Sequence, residues 1–195
     1  MSAPKILAMA GSLRKDSYNK KLVKIAAEGA RAAGAEVTVI DLKEFPLPVY
    51  DGDIEAAQGL PENAKKLKKI FLEHQGLLIS SPEYNSSIPG GFKNAIDWVS
   101  RPETKEEPAL ACFDKKIAVL LSASPGALGG LRALVPLRMM LENIRVTVLP
   151  AQIAVSKAHE AFDEAGALKD AKQAAAVRGA AADLVKILLR LGSPE

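Results

Sequence analysis

The sequence predicts an α/β fold, a five-stranded parallel sheet with helices on both faces. Two observations carry that prediction. Short apolar runs recur with the make-up of strands buried on both sides, and segments with helical spacing of apolar residues alternate with them. Lys5 to Ala10 is the first strand. Leu22, Ile25, Ala26, Gly29, Ala30 and Ala33 then fall at i, i+3, i+4, i+7, i+8 and i+11, one face of a helix that Gly34 closes. Glu36 to Asp41, with β-branched Val37, Thr38, Val39 and Ile40, is the second strand. Leu42 to Gly59 is broken by Pro46, Pro48 and Gly52 and is expected to be irregular, with a length that in compact domains is often functional or mobile.

Pro61 opens a charged helix reaching about Glu73, with Ala64, Leu67, Ile70 and Phe71 inward and most of its lysines outward. His74, just beyond, is expected to be a solvated cap partner and not a catalytic base. Gly76 to Ser81 is the third strand and Lys116 to Ala123 the fourth. Val146 to Leu149 with Ile153 to Val155 forms a fifth, interrupted by Pro150. The last helix, about Asp170 to Leu191, sets Ala174, Val177, Ala181, Leu184, Val185 and Leu188 on one face.

At 195 residues and 48% hydrophobic composition, the chain has enough material for one sizeable core, so a single domain over 1–195 is expected. A net charge of +3, with basic and acidic residues interspersed, argues against a nucleic-acid partner, and 5% aromatic content argues against a base-stacking surface. No apolar run is long enough for a membrane helix. The single cysteine, Cys112, and a start, MSAPK, without the layout of a signal peptide predict a cytoplasmic protein. Zinc spacing, HExxH and GxSxG are all missing, so metal hydrolysis and a serine triad are not expected. Cys112 has only Lys115 and Lys116 nearby to lower its pKa and is expected to be incidental.

In a parallel sheet, ligands bind at the carboxyl ends of the strands, which directs attention to three loops. The first is Gly11 to Asn19, GSLRKDSYN. Its hydroxyls (Ser12, Ser17), amide (Asn19), basic side chains (Arg14, Lys15) and the amides of a new helix are phosphate donors. A capped strand-to-helix turn explains the same residues. The loop fits neither GxxxxGK[ST] nor GxGxxG, so a single terminal phosphate suits it better than a tri- or dinucleotide.

The second loop, with the helix after it, is Ser81 to Trp98, SPEYNSSIPGGFKNAIDW. Pro82 stiffens the strand exit, and Glu83, Tyr84 and Asn85 offer polar groups beside an aromatic ring, which suits a flat heterocycle. A tight turn before a helix is the plainer reading. In the helix, Phe92, Ala95, Ile96 and Val99 form a core stripe, and Asn94, Trp98 and Arg101 form a second stripe off the core. Tryptophan and arginine are enriched at interfaces, so that stripe is expected at a subunit boundary; a solvated face is the alternative. The third loop, Ser122 to Gly130, SASPGALGG, is small enough for a planar ligand or a donor amide to approach. Its helix, Leu131 to Ile144, is apolar over most of its surface, as if covered by a partner subunit, and Pro136 is expected to kink it or mark a restart.

At these three loops the chain resembles the NADPH-dependent FMN reductase family, which includes bacterial chromate, quinone and azo-dye reductases. GSLRKDSYN matches the family style GSxRxxSxN, and PEYNSSIPGGFKNAIDW and SASPGALGGLRALVPLR match further on. Gly91 and Phe92 depart from the family's usual small residue and leucine, and Pro136 is a second departure; both bear on packing. The resemblance implies a flavodoxin-like three-layer sandwich with strand order 2-1-3-4-5 and bound FMN. Ser12, Arg14, Ser17 and Asn19 would surround the phosphate, Pro82, Glu83, Tyr84 and Asn85 would border the isoalloxazine, and Ser124 and Gly126 would complete the site. It further implies a homodimer or homotetramer with Trp98, Arg101 and the helix 131–144 near the interface.

The implied reaction is a two-step (ping-pong) exchange at FMN N5 without a catalytic side chain. NAD(P)H reduces the flavin and leaves, and a small-molecule acceptor (quinone, azo compound, chromate or free flavin) then takes the electrons. NADPH and NADH both stand, because no 2′-phosphate site is recognisable. Two other readings share the loops, a flavodoxin-like electron carrier and an FMN-binding sensor without turnover. The slightly basic charge favours the enzyme over a carrier, since carriers that dock on basic partners are usually acidic.

Overall fold

The computed structural model describes residues 2–192, so the two ends of the 1–195 domain lie outside the described residues. Five parallel strands run β1 (Lys5–Ala10), β2 (Glu36–Ile40), β3 (Gly76–Ser80), β4 (Ile117–Ala123) and β5 (Thr147–Val155). Their order is β2-β1-β3-β4-β5, as the resemblance implied. Successive residues of the central strands alternate between two cores. Ile6, Ala8, Leu78, Val119 and Leu121 pack under α1 (Tyr18–Ala32) and α7 (Ala171–Leu191). Leu7, Met9, Leu77, Ile79, Ala118 and Leu120 pack under α3 (Glu62–Leu72), α4 (Gly90–Val99) and α5 (Leu131–Asn143). Burial on both faces is why these strands are continuous apolar runs and not alternating ones.

Pro150 does not interrupt β5. It shifts the register instead: Ala118 pairs with Val148 and Leu120 with Gln152, two residues of β4 against four of β5. β5 is an edge strand, so the missing proline N–H costs no ladder bond, and Arg138 donates to the carbonyls of Val148 (2.9 Å) and Leu149 (2.6 Å) in the shifted stretch. Pro136 likewise marks no restart; α5 runs through it as one helix.

Two expectations are corrected by tertiary contacts. The 42–59 segment is ordered: a 3₁₀ turn, Leu42–Glu44, precedes α2 (Gly52–Gln58), and Asp51 caps α2 by accepting from the Asp53 N–H at 2.8 Å. α2 buries no residue, so it has no apolar stripe by which periodicity could find it. His74 is not solvated. Its Nδ1 lies 2.6 Å from the Ile70 carbonyl, which can only accept, and its Nε2 lies 2.8 Å from the Thr38 hydroxyl. Most of the α3 lysines, Lys65, Lys66 and Lys69, are exposed as expected, and Lys68 is the exception: it is 2% exposed and donates to the Glu107 carboxylate at 2.5 Å and the Arg101 carbonyl at 2.6 Å.

The off-core stripe of α4 is also resolved within the chain. Trp98 is fully buried against Leu60 and Ala64, with Leu47, Tyr50 and Ile54 beside it. The 46–60 stretch covers the face that composition alone directs to a second subunit, because an indole N–H and a flat ring are satisfied equally well by an internal partner.

Where α1 meets α7, a Cβ on Gly29 would stand 2.6 Å from Arg178 Cα and 2.7 Å from its carbonyl oxygen, both backbone atoms that cannot swing aside. Gly29→Ala is therefore expected to cost about 1–3 kcal/mol by overpacking, read as a lower urea midpoint at unchanged slope.

Candidate functional site

The loops after β1, β3 and β4 meet at the carboxyl end of the sheet. The Gly11 N–H donates to the Ser80 carbonyl (2.9 Å), and the Ser81 N–H to the Leu121 carbonyl (2.9 Å), which carries the pairing one step past each strand. Asn19, on the first turn of α1 and 2% exposed, joins the three. Its Oδ1 accepts from the Ser80 hydroxyl (2.8 Å) and the Ala123 N–H (2.9 Å), while its Nδ2 donates to the Ala123 carbonyl (2.8 Å). This side chain lies beneath the first loop, tied to strand ends.

Within that loop, Ser17 caps α1, accepting from the Asn19 N–H at 3.2 Å, and the helix has no acidic residue in its first turn. Ser12, nearly fully buried, accepts from the Arg14 N–H at 3.3 Å. Arg14 and Lys15 are exposed beside them. Hydroxyls, a first helical turn without a carboxylate, and an exposed guanidinium are the donor set of a phosphate monoester, with Asp16 the one acidic residue in the loop.

In the second loop Pro82 is buried, and Tyr84 and Ser87 exchange N–H···O bonds (2.9 and 3.1 Å) around Asn85 and Ser86. Both central residues have positive φ, 52° and 64°, so the turn holds Tyr84 and Asn85 out toward solvent. The Glu83 carboxylate is almost covered and ion-pairs with Arg132 of α5, whose Nε donates to it at 2.7 Å. In the third loop Ser124 accepts from the Gly126 N–H at 3.3 Å. A Cβ on Gly129 would strike the backbone of Val155 and Ser156, and one on Gly130 would stand 2.0 Å from the Ser122 hydroxyl. That hydroxyl is buried and is the one buried side-chain polar atom without a partner among the described residues. Gly126, by contrast, meets only the Ser124 hydroxyl, at 3.7 Å, and leaves open space.

All ten expected residues thus lie on the three loops or at their roots. The Glu83–Arg132 pair and the Asn19–Ser80 contact were not foreseen, since their members are far apart in sequence. Ser80, Ser81 and Ser122, serines at the ends of otherwise apolar strands, were the available signal. Cys112 is buried at the other side of α3, where burial pushes its thiol up despite the charges of Lys68 and Lys116. No cluster of metal-ligating side chains and no helix long and apolar enough to cross a membrane occurs among the described residues.

The profile of the NADPH-dependent FMN reductases matches residues 4–160, which takes in all three loops. The chain belongs to the NADPH-dependent FMN reductase family. It is 37% identical over 169 residues to an NAD(P)H-dependent FMN reductase of Pseudomonas aeruginosa, covering 86% of each chain. It is 33% identical over 144 residues to a quinone reductase of Escherichia coli K12, covering 74% of this chain and 72% of that one. Among solved structures, the flavoenzyme NAD(P)H:(acceptor) oxidoreductase FerB of Paracoccus denitrificans superposes with a TM-score of 0.79 at 31% identity, over 96% of this chain and 98% of that one. As a member of this family the chain is an oxidoreductase, with FMN as its cofactor and NAD(P)H as co-substrate.

Asn19→Ala would leave the Ala123 N–H and carbonyl and the Ser80 hydroxyl unpaired. The expected loss is about 3 kcal/mol of stability in the flavin-free protein, measured by urea unfolding, with Asn19→Asp recovering only the acceptor half.

Proposed function

We propose that this reductase passes electrons from NAD(P)H to quinones, and to related oxidised small molecules such as azo compounds, chromate or free flavin, in two separated half-reactions. The observation that carries the reading is the start of α1, where the buried Ser12 and the cap Ser17, with Arg14 exposed in the same loop, precede a first helical turn that holds no acidic residue. Support for the acceptor class comes from relatives named for quinones along most of the chain. When bound, FMN supplies a two-electron store that accepts hydride from the nicotinamide.

The chain's own residues bind and orient. Ser12, Ser17 and Arg14 hold the phosphate, and Asn19 acts from beneath by fixing the helix start to β3 and β4. Pro82 to Asn85 border the ring, with Tyr84 and Asn85 displayed by the turn. Arg132 neutralises Glu83, so the loop presents its dipoles without a bare carboxylate facing an electron-rich ring. Ser124 and Gly126 close the third side, where the open space at Gly126 admits a planar group. We read the whole chain as one such FMN-binding domain.

A homodimer is proposed through α5. Leu131, Val135 and Met139 of α5 recur at i, i+4 and i+8 and are all exposed, an apolar stripe that water covers poorly, and Leu128 in the loop before the helix is exposed as well. Trp98 is no part of that face, being buried inside its own chain. Val135→Glu with Met139→Glu is expected to convert a dimer, or the dimers of a tetramer, to monomers in sedimentation velocity.

The purified protein is expected to be yellow, to be bleached by NADPH without oxygen, and to give parallel double-reciprocal lines when NADPH and a quinone are varied. A carrier or a sensor would show no such turnover. Arg14→Ala with Ser17→Ala should weaken FMN binding about ten- to hundredfold with an unchanged circular dichroism spectrum. Unaltered FMN affinity would remove the phosphate assignment.

A further inference from the structure

One face of α4 carries Gly91, Asn94 and Trp98, Arg101 lies just past the helix end, and these residues meet the first loop and the 46–59 segment. A Cβ on Gly91 would stand 2.9 Å from Leu13 Cδ1, so Leu13 of the first loop lies against the first turn of α4. One turn on, Asn94 accepts from the Tyr50 N–H and donates to the Pro48 carbonyl, both at 2.8 Å. The Trp98 indole donates to that same carbonyl at 2.8 Å, and its ring meets Tyr50 edge to face at 5.0 Å. Near the far end, the Glu55 carboxylate takes the Tyr50 hydroxyl (2.8 Å) and Arg101 Nε (2.9 and 3.0 Å). Burial acts to raise the Glu55 pKa, but hydrogen bonds from Arg101 and Tyr50 and the Arg101 charge outweigh it and hold the carboxyl below its ordinary range.

The 46–59 segment is therefore a strap fastened along α4, beginning within a turn of the loop that borders the ring. Between its anchored neighbours Pro48 and Tyr50, Val49 is 81% exposed, and Leu13, one turn nearer the helix start, is 47% exposed. A chain that fixes both neighbours of an aliphatic side chain and leaves that side chain in water is holding it in place for contact with something else.

We infer that Val49 and Leu13 form the rim over which the electron acceptor enters, and that Glu55, through Tyr50 and Arg101, positions that rim and so sets the size of acceptor admitted. The inference rests on the flavin reading of the three loops. Glu55, Tyr50 and Arg101 are positioning residues: they act on Val49 through the strap and need not touch the acceptor.

The test compares a one-ring acceptor, 1,4-benzoquinone, with a two-ring one, menadione, in the flavin-loaded enzyme. In Glu55→Gln and Arg101→Ala the rate at which NADPH bleaches the flavin should stay within about twofold of the parent. The ratio of kcat/KM for menadione to that for benzoquinone should shift at least about threefold, and Arg101→Lys should restore most of it. Val49→Trp, at a position too exposed to disturb folding, should raise KM for menadione about tenfold while sparing benzoquinone. An unchanged ratio in all three variants overturns the rim while leaving the flavin reading intact. Equal loss of both acceptors in step with lost flavin overturns it too, since the strap would then only support the fold. A parent protein that neither holds FMN nor oxidises NADPH overturns the flavin reading and the rim together.

Discussion

Asn19 is the contact on which the geometry of this reductase's site depends. Its one side-chain amide, shut away from water, satisfies the end of β4 on both its N–H and its carbonyl and takes the hydroxyl that ends β3, from a position on the first turn of α1. Parallel strands leave their carboxyl ends without a common partner, and three loops emerging there would otherwise be free to drift. A buried polar group left unpaired costs about 1–3 kcal/mol, so moving one loop away from the others has a high energetic penalty. The amide helps hold the loops after β1, β3 and β4 at a fixed separation.

The opposite end of the sheet is held by a different device. Lys116, at the start of β4, is buried and gives its ammonium to the His74 carbonyl, and burial pushes its pKa down. His74 itself ties the end of α3 to β2 through Thr38. Lys68 and Arg138 likewise spend their charges on loop and bulge carbonyls inside the molecule. A slightly basic chain thus has part of its positive charge committed internally.

α4 links the two ends. Its core stripe packs on the sheet, its start follows the 81–89 loop, and its second stripe, continued by Arg101 past the helix end, fastens the 46–59 strap. Trp98 sets that arrangement. An indole N–H in a dry setting requires an acceptor, and the Pro48 carbonyl, having no strand partner of its own, supplies it.

The sequence by itself determined the sheet, because burial on both faces writes itself as apolar runs such as Leu77–Leu78–Ile79. It also marked the three loops at the carboxyl ends of the strands, because GSLRKDSYN, SPEYNSSIPGG and SASPGALGG each follow an apolar run in local order. Tertiary structure alone decided which polar groups are spent within the protein and which remain for a ligand. Asn19 and Arg14 are both polar in the sequence, and only the arrival of Ser80 and Ala123 beside one of them separates a buried strut from an exposed side chain. Trp98, which composition directs to a second subunit, lies inside its own chain for the same reason. A stripe of residues specifies that a face must be covered, and the identity of the cover, here the chain's own 46–60 stretch, depends on contacts between residues dozens of positions apart that local periodicity does not encode.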